Sequence, residues 1–413
     1  MLRTHAHHCI VYILIAEIYS HQRARQTRAT SRVDRRPQLS LKRMKSPNES
    51  NKPLVSVIIP AFNAAEHIRK TLNSVLAQTY QALEIIVVDD GSTDSTGAIV
   101  EEFVKKDARV QLVRQCNAGV GAARNTAIRR ARGKYIAPLD ADDLFYPEKL
   151  EKQVACMEQY GTETGLVYCG TVLIDERGDF VRNVLPGEHL QIVEGRLRHT
   201  MVLSNVVGNA SVPLIRAAAL EKVGLYLTRA EQRGAQGCED WDLHIRVAEH
   251  YSIRIVPEYL LAYRQICSGM SVNAESMAAS FAVMMRRARE RNSDLPDATF
   301  RWSAGYFYKY LVGKSDEWNH NSWSFRYLKK CVSANPYYFL EPWTYRKLIK
   351  FSLKSSIGPM WKQIVRQVRP SFQKEKQRAD LHSNKKSKRP FISNLIFEHI
   401  ETRVWSAALY DGN

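Results

Sequence analysis

Three carboxylates in four residues, Asp140, Asp142 and Asp143, follow close on the short apolar run Tyr135-Ile136-Ala137. An apolar run that stops at acids describes a strand of a parallel sheet whose C-terminal end is open to ligand. Side chains two apart on a strand share a face. Asp140 and Asp142 can therefore aim together at a hard cation such as Mn2+ or Mg2+, which keeps waters and completes its shell with a substrate diphosphate. The alternative is an Asp-rich turn leading into a helix at Pro147. A second acid pair, Asp89-Asp90, ends the run LEIIVV, a strand expected to neighbour the one ending in Asp140, and can either face a ligand or make a turn with Gly91. A third, Glu239-Asp240, opens a helical pattern after Gly234–Gly237, a stretch expected to be mobile. Acids in a first turn are favoured by the helix dipole; a carboxylate there can also take a proton from an attacking hydroxyl. Arg264, beside Tyr263, can reach a leaving phosphate or pair with a neighbour.

Gly119-Val-Gly121-Ala-Ala-Arg124 has the outline of a dinucleotide phosphate loop, the signature of a nicotinamide-dependent oxidoreductase. Two features oppose that reading. Arg124 stands where the third glycine should be, and the motif follows the third strand instead of the first. An arginine at a helix start suits a diphosphate, which it can grip with two N–H groups.

The elements that must hold these residues are legible in the hydrophobic pattern. Leu54–Pro60 (LVSVIIP) and Leu83–Val88 are near-continuous β-branched runs, as expected of strands buried on both faces. Asn63 with Glu66 three residues on has the form of a helix capping box. Helical faces follow each run, and strand-helix alternation continues to Asp140, predicting a doubly wound, mostly parallel α/β sheet. Leu166–Ile174 reads as a strand that turns at Asp175–Asp179 into Phe180-Val181. From Met277 onward the patterns are helical and increasingly basic. There is no internal repeat.

The 413 residues carry a formal charge of +18, and its distribution excludes one class of function. Residues 1–52 hold 11 Lys/Arg against 3 Asp/Glu, and residues 341–413 hold 15 against 6, which leaves +1 for the body. A nearly neutral body with basic ends is not the footprint of a nucleic-acid-binding face. Seven scattered cysteines without a CxxC pair indicate reduced thiols in a cytosolic setting. In residues 1–43 the Arg-rich run follows the apolar run Cys9–Ile18, the reverse of a secretory signal, and that run is too short to span a membrane. The segment is expected to be disordered, or translation to start at Met44. Tyr345–Arg369 mixes Lys/Arg with Leu, Ile, Phe and Trp. It can lie on an anionic membrane surface or be the basic solvent face of a packed helix.

VSVIIPAFNAAEHIRKTLNSVLAQTY, EIIVVDDGSTDST, NAGVGAARNTAIRRARGKYIAPLDADD, CEDWDLHIRV and the late YR, in this order, resemble the family 2 inverting glycosyltransferases of GT-A fold. The resemblance covers residues 53–272. It implies a catalytic domain there, after an extension at 1–52 and before a helical region at 273–370 and a basic tail at 371–413. It implies a nucleoside-diphosphate sugar donor, UDP-linked first, and a divalent metal. Pro60, Ala61, Phe62, Asn63 and Glu66 would border the nucleoside, and Asp89 or Asp90 would bond the base. Asn117 and Arg124 would lie by the ribose and diphosphate, Asp140 by the sugar-nucleotide, and Asp142 with Asp140 on the metal. Asp240 would be the base, with Glu239 near the acceptor, a glycan or lipid-linked precursor of cell-surface polysaccharide. Arg301-Trp302 has Ala298 where the processive members carry glutamine, so transfer of a single sugar is expected. The implied location is the cytoplasm, or the inner face of the membrane as a peripheral protein. A scaffold that binds nucleotide-sugars without activity would have lost the metal pair or the base, and both are present.

Overall fold

A computed structural model of the chain describes residues 52–184, 193–266, 273–317 and 321–348, with Gly269. The N-terminal extension, the basic tail and all of Tyr345–Arg369 beyond Leu348 lie outside the described residues.

The two continuous apolar runs become strands β1 (Val55–Ala61) and β2 (Leu83–Asp89), buried at every position. They pair in parallel, Val55 opposite Leu83 and Ala61 opposite Asp89. Between them lies α1 (Ile68–Leu76), which buries Ile68, Thr71, Leu72 and Val75. Next come α2 (Thr96–Val104), β3 (Val110–Arg114), α3 (Val120–Arg130) and β4 (Tyr135–Pro138). β3 is only partly buried because it is an edge strand.

The chain continues through β5 (Leu144–Phe145), α4 (Lys149–Gln159), β6 (Thr164–Ile174) and β7 (Phe180–Val184). The β6–β7 turn is built on Asp175, whose Oδ1 accepts the amides of Arg177, Gly178 and Asp179. α5 (Arg198–Leu203), β8 (Leu214–Arg216), α6 (Ala217–Val223), α7 (Glu239–His250) and β9 (Ser252–Arg264) follow. Helices α8 (Ala274–Arg291), α9 (Asp297–Glu317) and α10 (Asn321–Ala334) close the described chain apart from its last residues.

Among the described residues the strands form one sheet in the order β3-β2-β1-β4-β8-β6-β9-β5, with β7 on β6. β3, β2, β1 and β4 are parallel to one another, joined by helices as the alternation implies. β8 is antiparallel to both β4 and β6, while β6 and β9 run parallel over a long ladder.

Two local expectations are corrected. β1 lies between β2 and β4, so the strand ending in Asp89 does not neighbour the one leading to Asp140. Two strand spacings, about 10 Å, part them. Asn63 does not cap a helix: α1 starts at Ile68, and Asn63 has φ 49°. Its Oδ1 instead accepts from the amide of Thr93 at 2.8 Å, and its own amide donates to Ser92 Oγ at 3.0 Å. Asn is one of the few residues that enters the left-handed region cheaply, and here it stitches the loop after β1 to the loop after β2.

The C-terminal helices pack through aromatic rings. Trp241 of α7 lies 5.7 Å from Phe281 of α8 and 6.3 Å from Phe307 of α9, and these two phenyl rings stack at 4.0 Å. Such pairs add about 0.5–1.5 kcal/mol each beyond area burial. Cys116, Cys156, Cys169, Cys238 and Cys331 are free thiols. No helix among the described residues is long and apolar enough to cross a membrane.

Candidate active site

The site forms at the C-terminal ends of β1, β2 and β4 and the first turn of α7. Asp140 follows β4 and is held by the hydroxyl of Ser211, which accepts its amide at 2.9 Å. Asp142 is partly exposed, and its carboxyl is pushed up to about 6 by burial and by the charge of Asp140. Asp143 is fully buried; its Oδ1 accepts the Arg264 amide at 2.9 Å, and burial with Asp142 and Asp140 drives it well above the ordinary carboxylate range. The Arg264 guanidinium does not point away from this loop. Its Nε donates to the Asp142 carbonyl at 3.0 Å and its Nη1 to the carbonyls of Asp175 and Glu176, both at 3.1 Å.

Asp140 and Asp142 offer hard oxygen ligands, and Asp142 carries the unfavourable crowding that a dication would relieve. No cluster of three or more metal-ligating side chains occurs among the described residues. As two oxygen donors, Asp140 and Asp142 would fit a cation that completes its shell with water and substrate oxygens.

Asp240 sits in the first turn of α7. Its carboxyl is raised from 3.8 to about 7, chiefly by desolvation and then by Glu239, with Arg124 and the Trp241 amide opposing. That amide donates to Asp240 Oδ1 at 2.6 Å. Glu239 is buried, and its Oε2 accepts the amide of Gly237 at 2.9 Å. Arg124 of α3, 1 % exposed, donates from Nη1 to Glu239 Oε1 at 2.9 Å and from Nη2 to Asp140 Oδ1 at 2.6 Å. One guanidinium thus joins the acids after β4 to those of α7.

The remaining expected residues divide into two groups. Pro60 and Ala61 end β1, buried, while Phe62 is half exposed and Glu66 faces solvent. Asn117 is exposed, and its carbonyl accepts from Arg229 at 3.3 Å. Asp89 and Asp90 are buried and engaged within the fold. Asp89 Oδ1 accepts the Ser92 amide at 2.9 Å. Asp90 Oδ1 accepts from Gln115 at 2.7 Å and from the Ala118 amide at 2.9 Å, and its Oδ2 takes the Gly119 amide at 2.8 Å.

These bonds explain the glycine pattern without a phosphate. The amides just before α3 are committed to Asp90, and the Val120 amide faces Gln236 Oε1 at 3.3 Å. Gly119 has φ 89°, and Gly121 lies so close to the 225–238 loop that a Cβ on it would stand 2.2 Å from the Leu227 carbonyl oxygen. Because the obstacle is backbone, Gly121→Ala should destabilise the protein by about 1–3 kcal/mol. Thermal melting reads this directly; an unchanged Tm would remove the close packing as the reason for the glycine.

Sequence reading missed Tyr226, whose buried ring lies 5.2 Å from the Arg124 guanidinium, and Gln236, which meets the start of α3. Both come from the irregular 225–238 stretch, where no periodicity or motif marks them. It missed His244 as well, one turn beyond Asp240 and fully buried, its imidazole pushed down to about 3 by burial, Arg124 and Arg246.

The Glycosyl transferase family 2 model matches residues 56–208. An uncharacterized glycosyltransferase of Methanocaldococcus jannaschii is 32 % identical over 220 residues, 52 % of this chain and 72 % of that protein. The chain belongs to glycosyl transferase family 2. Its mixed α/β sheet with C-terminal helices is the GT-A type that the motifs imply. An uncharacterized glycosyltransferase of Rickettsia prowazekii is 32 % identical over 212 residues, 51 % of this chain and 64 % of that protein. The chain thus spans less than two thirds of the length of this relative and of the other Rickettsia glycosyltransferases it matches. Among solved structures, S. aureus TarS 1–349 in complex with UDP-GlcNAc superposes with a TM-score of 0.49 at 19 % identity, covering 68 % of this chain and 81 % of that one.

Proposed function

We propose that this family 2 chain moves one sugar from a nucleoside-diphosphate sugar to an acceptor hydroxyl, with inversion at the anomeric carbon. The observation that carries this is Asp240: a carboxyl raised to about 7, on the same site edge as the Asp140–Asp142 pair and tied to it through Arg124 and Glu239. A base with a pKa near the working pH combines ionisation with proton affinity. Asp240 takes the proton from the acceptor hydroxyl as its oxygen attacks opposite the departing diphosphate. Asp140 and Asp142 would hold Mn2+ or Mg2+, which supplies charge neutralisation for the leaving diphosphate. Phe62, half exposed beside Asn63 and Glu66, offers a face to the nucleoside base. No nucleophile or covalent intermediate is required.

The test is a panel of UDP-, GDP- and dTDP-sugars with the purified chain and Mn2+, read by thermal shift and donor hydrolysis. A shift with one nucleotide, larger with metal, supports the reading. No response to any donor favours an inactive scaffold.

The acceptor reading is a glycan or a lipid-linked precursor of a cell-surface polysaccharide, met at the cytoplasmic face of the membrane. Exposed Tyr337, Phe339, Leu340 and Tyr345 near Arg346 and Lys347 support a peripheral contact with anionic lipid. The chain should then cosediment with phosphatidylglycerol vesicles and not with phosphatidylcholine ones. Equal recovery from both would sink the contact.

A further inference from the structure

Arg124 bridges two parts of the site that the chain brings from far apart. Asp140 is 16 residues away and Glu239 115. Its Nη1 and Nη2 are committed to Glu239 and Asp140 at 2.9 and 2.6 Å, its ring neighbour is Tyr226 at 5.2 Å, and its side chain is 1 % exposed. An arginine that grips a diphosphate presents a free pair of N–H groups to the phosphate oxygens. Here one N–H of each terminal nitrogen is spent on a carboxylate, and Nε is buried with no hydrogen-bond partner among the described residues. Swinging the guanidinium out would strand Glu239, a buried acid whose other oxygen accepts, among the described residues, the Gly237 amide. Uncompensated buried charge is strongly disfavoured.

We propose that Arg124 is a positioning residue that fixes Glu239, and through it the first turn of α7 with Asp240, against Asp140, and that it does not bind the donor's phosphates. This rests on the transferase reading above. Donor binding and chemistry are then separable: the nucleotide is held elsewhere, and Arg124 sets the distance between the base and the donor end of the site.

The experiment compares Arg124→Lys, Arg124→Met, Glu239→Gln and the Arg124→Met/Glu239→Gln double variant with the wild-type chain. UDP, GDP and dTDP with Mn2+ are titrated by calorimetry, and turnover of the matching nucleotide-sugar gives kcat and KM. The expected result is nucleotide Kd within about threefold of wild type in every variant, below the tenfold that 1.4 kcal/mol represents. The kcat should fall about 100-fold, the scale of a misplaced catalytic group. Arg124→Lys, which can reach one acid but not both, should recover only part of it. The double variant should lose no more than the worse single, because both act through one contact.

Weakening of nucleotide binding by about tenfold or more in Arg124→Lys would overturn the proposal. So would an unchanged kcat in Glu239→Gln, a variant that keeps Arg124 and its bond to Asp140. Losses that multiply in the double variant would overturn it too. A wild-type chain that binds none of the three nucleotides would instead bring down the transferase reading, and this proposal with it.

Discussion

Asp240→Asn is expected to lower sugar transfer by about 100- to 10,000-fold, the range of a positioned general base, while nucleotide binding is kept. Asparagine has nearly the same shape and can still accept the Trp241 amide, but it cannot take a proton. The pH dependence follows from the same carboxyl. Asp240 is raised from 3.8 to about 7 by desolvation first and by Glu239 second, with Arg124 pulling the other way. The base must be ionised to work, so kcat/KM should climb as pH rises through about 7 and then level off.

Stability should move in the opposite sense. Between pH 3.8 and about 7 the folded chain holds this proton and the unfolded chain does not. Stability contributed by the protonated group is therefore full below 3.8 and is lost as pH rises to about 7. The Asn variant lacks that loss and should melt above the wild type at pH 8 without metal, in keeping with the usual trade between activity and stability. Rates and melting curves across pH 5–9 check both signs, a range chosen to bracket a pKa of about 7. An Asn variant retaining a tenth or more of wild-type transfer would remove Asp240 as the base.

Asp142→Ala is expected to abolish metal-dependent donor binding. Asp142 is held at about 6 by burial and by Asp140, a crowding that a bound dication would reverse. In the wild-type chain Mn2+ with the responding nucleotide should raise Tm. At a ligand concentration of about 100 Kd the linkage is about 2.7 kcal/mol. In Asp142→Ala that rise should vanish, and transfer should fall with it, whereas the metal-free variant should be at least as stable as the wild type because one crowded charge is gone. The same Mn2+-dependent shift in the variant would take Asp142 out of the metal site.

The chain by itself determined the elements and the chemistry they carry. β-branched runs such as Leu54–Pro60 can only be satisfied by burial, and acids that end an apolar run or open a helix must face a ligand or a donor, so Asp140, Asp142 and Asp240 stand out before any fold is known. Tertiary structure decided which of these meet. Periodicity reports burial over a few residues, but strand order is fixed by crossovers and register, which placed β1 between Asp89 and Asp140. The glycines at 119 and 121 had only the outline of a phosphate loop in the sequence, and what Gly121 is for, the distant backbone at Leu227 pressed against it, is visible only in the fold. Arg124 read as a phosphate ligand because a helix start and a positive charge are local facts. Its partners Asp140 and Glu239, which bond this one buried guanidinium at 2.6 and 2.9 Å, lie 16 and 115 residues away, so only the fold brings them to it.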